Sequence, residues 1–117
     1  MRRGRSTPSP SRTDQARFDA IHRTGCVACR KEGRVTPAEI HHLTVGGRHG
    51  QKRRGHRYTI GLCAFHHRGV PQDGMTRAEC EGVIGPSYAL TPKRFRERYG
   101  SDDELLAYQD RLIEALG

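Results

Sequence analysis

Tryptophan is absent, three phenylalanines and four tyrosines are the only other large aromatics, and apolar residues fill 33% of the 117 positions. Burial of apolar area is the main stabilising contribution to folding, so one small domain of this composition is short of it. Domains in that position are often completed by a structural metal or by disulfides. No run of 18 apolar residues occurs, which excludes a membrane-spanning helix. The opening stretch MRRGRSTPSPSRT has no apolar segment and is not a secretory signal. The cytoplasm is therefore the expected compartment, and disulfides are rare there. Four cysteines, Cys26, Cys29, Cys63 and Cys80, are then expected as metal ligands or free thiols.

Acidic residues are missing from one long stretch. Between Ile40 and Gln72 there is none, while Arg48, Lys52, Arg53, Arg54, Arg57 and Arg68 all fall inside it. The whole chain carries a formal charge of +8 and a pI near 9.9. That balance points to a polyanionic partner, most often nucleic acid. An acid-free segment suits the DNA backbone, and binding of this kind weakens steeply with salt. The segment has no Asn, no Glu and no helical pattern for reading bases, so little sequence specificity is expected. A solvated charged loop is the bland alternative. Lys93, Arg94, Arg96 and Arg98 offer a second basic face, diluted by Glu97 and the acids that follow.

The chain organises as a basic arm and one domain. Residues 1–12 are rich in Arg, Ser and Pro, an expected disordered arm that can lie along phosphates, followed by a single domain over 13–117. Thr13 is placed to cap a short helix ended by Gly25. Cys26-Val27-Ala28-Cys29 reads as a loop. Thr36–Leu43 and Tyr58–Leu62 read as strands, with a Gly- and Arg-rich loop between them, and a helix is expected to begin near Cys63–His67. Val70–Tyr88 shows no clear period. Thr91-Pro92 looks like a helix start closed by Gly100, and Ser101-Asp102-Asp103-Glu104 is a capping box. Leu105, Leu106, Leu112, Ile113 and Leu116 give the last helix an apolar stripe for the core.

Cys26-x2-Cys29 and Cys63-x2-His66 are two short ligand pairs with residues 30–62 between them. Zinc takes four such donors in a tetrahedron, and a two-residue gap lets both members of a pair turn toward one ion. A site of this kind can supply roughly 10–16 kcal/mol of apparent folding free energy. Two alternatives stay open: two buried thiols with a surface histidine, or Cys80 taking the place of His66. Cys80 lies in an acidic helical stretch with no second ligand beside it and is expected to be a free thiol. His41, His42 and His67 are left over. Neighbours on a regular strand face opposite ways, so His41 and His42 should do different things.

The segments CVAC, EIHHLTVGGRHG and GHRYTIGLCAFHHRG, within residues 26–69, resemble the HNH (ββα-metal) endonucleases. The resemblance implies a small α+β fold with a ββα-metal core, a structural zinc and flanking helices. It also implies His41 and His67 as ligands of a catalytic divalent ion, Mg²⁺ or Mn²⁺, and His42 as the general base. A neutral imidazole suits that work, since histidine titrates near neutral pH. The middle asparagine of the family pattern is missing, because the chain contains no asparagine at all. His56 and Thr59 are the candidates to orient the loop in its place, and His56 is also weighed as a further ligand.

A closer resemblance is to the phage-encoded recombination-enhancement, RecA-dependent nucleases. It is carried by EIHHL, GG, GH, TI, LC and HHRG in order, and by the tail GPSYALTPKRFRERYGSDDELL. It implies a DNA endonuclease that works on DNA held by a RecA filament. The alternative is a non-catalytic zinc-binding DNA adaptor, which would use the same cysteines and basic loop but would not need His41, His42 and His67.

Overall fold

Ser11 starts the first helix of the computed structural model, which describes residues 8–45 and 52–117. Helix α1 spans Arg12–Thr24. Its cap is Ser11 and not Thr13: Ser11 Oγ accepts from Asp14 N at 3.1 Å, and Asp14 accepts from Ser11 N at 2.9 Å. Two donors are satisfied reciprocally, which a Thr13 cap would not achieve. Arg12, expected in the arm, is thus already helical. Gly25 ends α1 with φ +80, and a Cβ there would meet the Thr36 carbonyl oxygen at 2.5 Å.

The CxxC stretch is helical rather than a loop. Cys26 caps a one-turn helix α2, Val27–Lys31, with its sulfur accepting from Cys29 N. Strands β1, Glu39–His42, and β2, Thr59–Leu62, then pair antiparallel, with His41 opposite Ile60 and His42 opposite Thr59. β1 is shorter at its start than the segment expected from Thr36. Helix α3, Ala64–Arg68, follows β2 directly and ends at Gly69 in the left-handed region.

The segment without a clear period holds helix α4, Arg77–Ile84, opened by a Thr76/Glu79 capping box. Helix α5, Pro92–Tyr99, starts after Thr91, whose hydroxyl donates to the Ser87 carbonyl instead of capping. Helix α6, Asp102–Glu114, opens with the expected Ser101/Glu104 box. Among the described residues the result is a small α+β fold with one two-stranded sheet and six helices. No described helix is long and apolar enough to cross a membrane.

The core gathers the cysteines of α2 and its surroundings with Leu43, Ile60, Leu62, Phe65, Phe95, Tyr99 and Leu105. Of the α6 stripe, Leu105 is fully buried and Leu106, Leu112, Ile113 and Leu116 are half-buried. Gln109 is a buried polar residue with both ends satisfied. It accepts from Gly61 N at 2.8 Å and donates to Thr24 Oγ1 at 2.9 Å, tying α6 to β2 and α1.

Candidate active site

Cys26, Cys29, Cys63 and His66 are brought together from α2 and from the start of α3. All four are buried, and one donor atom from each lies within 4.8 Å of the others. His66 Nδ1 stands 3.4, 3.6 and 3.3 Å from the sulfurs of Cys26, Cys29 and Cys63, and the Cys29 and Cys63 sulfurs are 3.9 Å apart. Zinc–sulfur bonds of about 2.3 Å and zinc–nitrogen bonds of about 2.0 Å in a tetrahedron give edges of about 3.8 and 3.6 Å. The donor set therefore fits a zinc ion in type, number and spacing.

The surroundings of the cluster fit as well. His66 Nε2–H donates to the Ile84 carbonyl at 3.2 Å, which turns Nδ1 toward the sulfurs. Metal-bound histidines are commonly held this way. Tyr99 donates to the same carbonyl at 3.0 Å, so the end of α4 and the end of α5 both meet this ligand. Burial pushes the Cys26 thiol up, and the Cys29 and Cys63 sulfurs add to it. Burial alone would lower His66, but its bonds to Cys29 and Cys63 raise it to about 9. Three sulfurs this close ionise together only with a cation to neutralise them. Cys80 is buried elsewhere, accepting from Gln72 N at 3.2 Å, and does not join the group.

The strand alternation divides the adjacent histidine pair. Glu39 and His41 share one face of β1, and Ile40 and His42 the other. On the first face the His41 ring lies 5.0 Å from the His67 ring of α3, and Tyr88 packs against His41 at 4.8 Å. Two imidazoles sharing one cation through bonds of about 2.1 Å at near a right angle have centres about 4.5–5 Å apart. The His41–His67 separation lies at the upper end of that range. Among the described residues, the sulfur cluster is the one convergence of three or more metal-type donors.

His67 has a partner that sequence reasoning missed. Its Nδ1 donates to Glu39 Oε1 at 2.8 Å, and Arg68 holds the same carboxylate through Nε and Nη2 at 2.8 and 2.6 Å. Arg68 first, with His67 helping, holds the Glu39 carboxyl down at about 2. Glu39 stands two residues before His41 on a strand, and that spacing alone placed it on the same face.

On the other face His42 meets His56, with Nε2 and Nδ1 3.0 Å apart, and Phe18 of α1 packs edge-on against both rings. The second nitrogen of His56 meets the Pro8 carbonyl. A carbonyl only accepts, so His56 Nε2 carries a proton. With the Nε2 proton on the carbonyl, His56 Nδ1 is the acceptor, His42 donates from Nε2, and His42 Nδ1 keeps the lone pair. Burial first, then the charge of Arg53, holds the His42 imidazole down at about 4. Thr59 Oγ1 donates to the His56 carbonyl at 2.7 Å, so both residues expected to orient the loop are engaged there.

The basic residues split into bound and available groups. Arg54 pairs with Asp103 at 2.9 Å and covers the Tyr58 ring, and Arg68 is committed to Glu39. Arg94, Arg96 and Arg98 pair with Glu81, Asp102 and Glu32. Lys52, Arg53 and Arg57 are exposed, without an ion pair among the described residues. Arg48 lies outside the described residues.

A two-stranded sheet joined to a helix carrying paired histidines, beside a buried cluster of three cysteines and a histidine with the spacing of a metal site, defines a small α+β domain. The chain belongs to the recombination enhancement, RecA-dependent nuclease family, whose model matches residues 10–114. Comparison with curated proteins finds no match.

Proposed function

We propose that this protein is a metal-dependent endonuclease of the HNH type. It hydrolyses DNA phosphodiester bonds with little sequence preference and acts in the cytoplasm on RecA-coated DNA during recombination. The observation that carries this reading is the His41–His67 pair, 5.0 Å between ring centres, in a chain of a nuclease family.

A divalent ion, Mg²⁺ or Mn²⁺, held by His41 and His67 supplies positive charge where the phosphate becomes more negative. His42 takes the proton of the attacking water at Nδ1. Its depressed pKa keeps it neutral at physiological pH. His56 takes over the orienting work of the missing asparagine, with Thr59 fixing its backbone. Lys52, Arg53 and Arg57, with Arg48, hold flanking phosphates, and the basic residues ahead of α1, which lie outside the described residues, add charge for the same backbone. Cys26, Cys29, Cys63 and His66 hold a structural zinc.

The missing asparagine favours a competing reading, a non-catalytic zinc-binding DNA adaptor, and the His42–His56 contact weakens it. The test is plasmid and single-stranded DNA cleavage with Mg²⁺ or Mn²⁺ against EDTA, beside His67→Ala. Ion-dependent cutting lost in His67→Ala is expected. Salt-sensitive DNA binding with no cutting under any condition would favour the adaptor.

A further inference from the structure

Glu39 belongs to no part of the proposed chemistry, yet it is the most heavily bonded acid near the paired histidines. It comes from the first residue of β1, on the face that carries His41. Its Oε1 receives both His67 Nδ1 and Arg68 Nε at 2.8 Å, and its Oε2 receives Arg68 Nη2 at 2.6 Å. A tie between strand and helix needs only the arginine, because the guanidinium fork already fills both oxygens. The bond to the imidazole is additional, and it fixes which nitrogen carries the proton. With Nδ1–H given to the carboxylate, His67 presents Nε2 as its lone-pair nitrogen.

We propose that Glu39 is a positioning residue for the divalent-ion site: its carboxylate, clamped by Arg68, locks the His67 ring so that Nε2 serves the ion shared with His41. The inference rests on the endonuclease reading above. It assigns Arg68 to this clamp, away from the phosphate contact expected for it from sequence. Carboxylates that orient a ligating imidazole also raise its basicity, and their loss typically costs 10–100-fold in metal affinity.

The experiment is Mn²⁺ binding to the full zinc-loaded chain, followed by electron paramagnetic resonance and calorimetry. Zinc content and melting temperature are recorded for each variant. Wild type should bind one Mn²⁺ beyond its zinc, and His67→Ala should lose it. Glu39→Ala should bind Mn²⁺ about 10–100-fold more weakly with zinc content unchanged. Glu39→Gln keeps an acceptor oxygen and should lose less, and it carries the test if Glu39→Ala does not fold. The ¹⁵N shifts of His67 should report a protonated Nδ1 in wild type and a mixed tautomer in Glu39→Ala, a change that a simple strand–helix tie would not produce. Wild-type Mn²⁺ affinity in both Glu39 variants, with His67→Ala defective, would overturn the role of Glu39 and leave the ion site standing. No Mn²⁺ binding by wild type, or binding unaffected in His67→Ala, would overturn the endonuclease reading itself, and this inference with it.

Discussion

At His42 the surroundings choose the protonation state. Burial and nearby positive charge hold the ring at about 4. The folded pKa lies below the ordinary 6.5, so the neutral base is present as pH falls through 6.5 and is lost only near 4. At saturating Mn²⁺, single-turnover cleavage should therefore show no inflection near 6.5 between about pH 5 and 8. An unshifted base would lose activity about tenfold per unit below 6.5, and a rate profile separates the two. Gln109 offers a second test at this scale. Gln109→Leu leaves the buried Gly61 N–H without its acceptor, and chemical denaturation should record a loss of about 1–3 kcal/mol.

Helices α2 and α3 are each five residues long, too short to hold themselves. The thiolate–imidazole cluster is what joins them, and His67 follows His66 directly on α3. Chelating the zinc should therefore unfold these elements and remove Mn²⁺ binding together. Circular dichroism and metal analysis during a chelator titration check this. Acid should release the zinc too, because the ligands must be deprotonated. This level of the structure is the most legible in sequence, since the spacing is short and local: Cys26, Cys29, Cys63 and His66 form two such pairs and meet in space. Capping boxes read equally well at Ser101. The same Thr-x-x-Glu signal at Thr76 sits amid Gly and Pro, and Ser11 lies two residues from Thr13, a second hydroxyl that could cap. The bonds from Glu39 to His67 and from His56 to His42 join residues 28 and 14 positions apart, and the second depends on how the chain returns to β1. No local pattern encodes such a return.

Across the whole molecule, a net charge of +8 overstates the cations free to meet DNA. Arg54, Arg68, Arg94 and Arg98 already face carboxylates. Each phosphate contact adds about 0.9 to the slope of log affinity against log salt. Lys52→Ala and Arg53→Ala should each lower that slope by close to this amount, while Arg68→Ala should leave it almost unchanged. Fluorescence anisotropy across a salt series measures all three. In the proposed reaction His42, at the end of β1, activates the water, and the sulfur cluster holds the fold. The most direct measurement is cleavage of RecA-coated and naked single-stranded DNA by wild type and by His42→Ala, each with full zinc content. Cutting by wild type that depends on the filament, with a loss of about 10²–10⁴-fold in His42→Ala at unchanged DNA affinity, is the predicted result. Wild-type cutting rates in His42→Ala would contradict it.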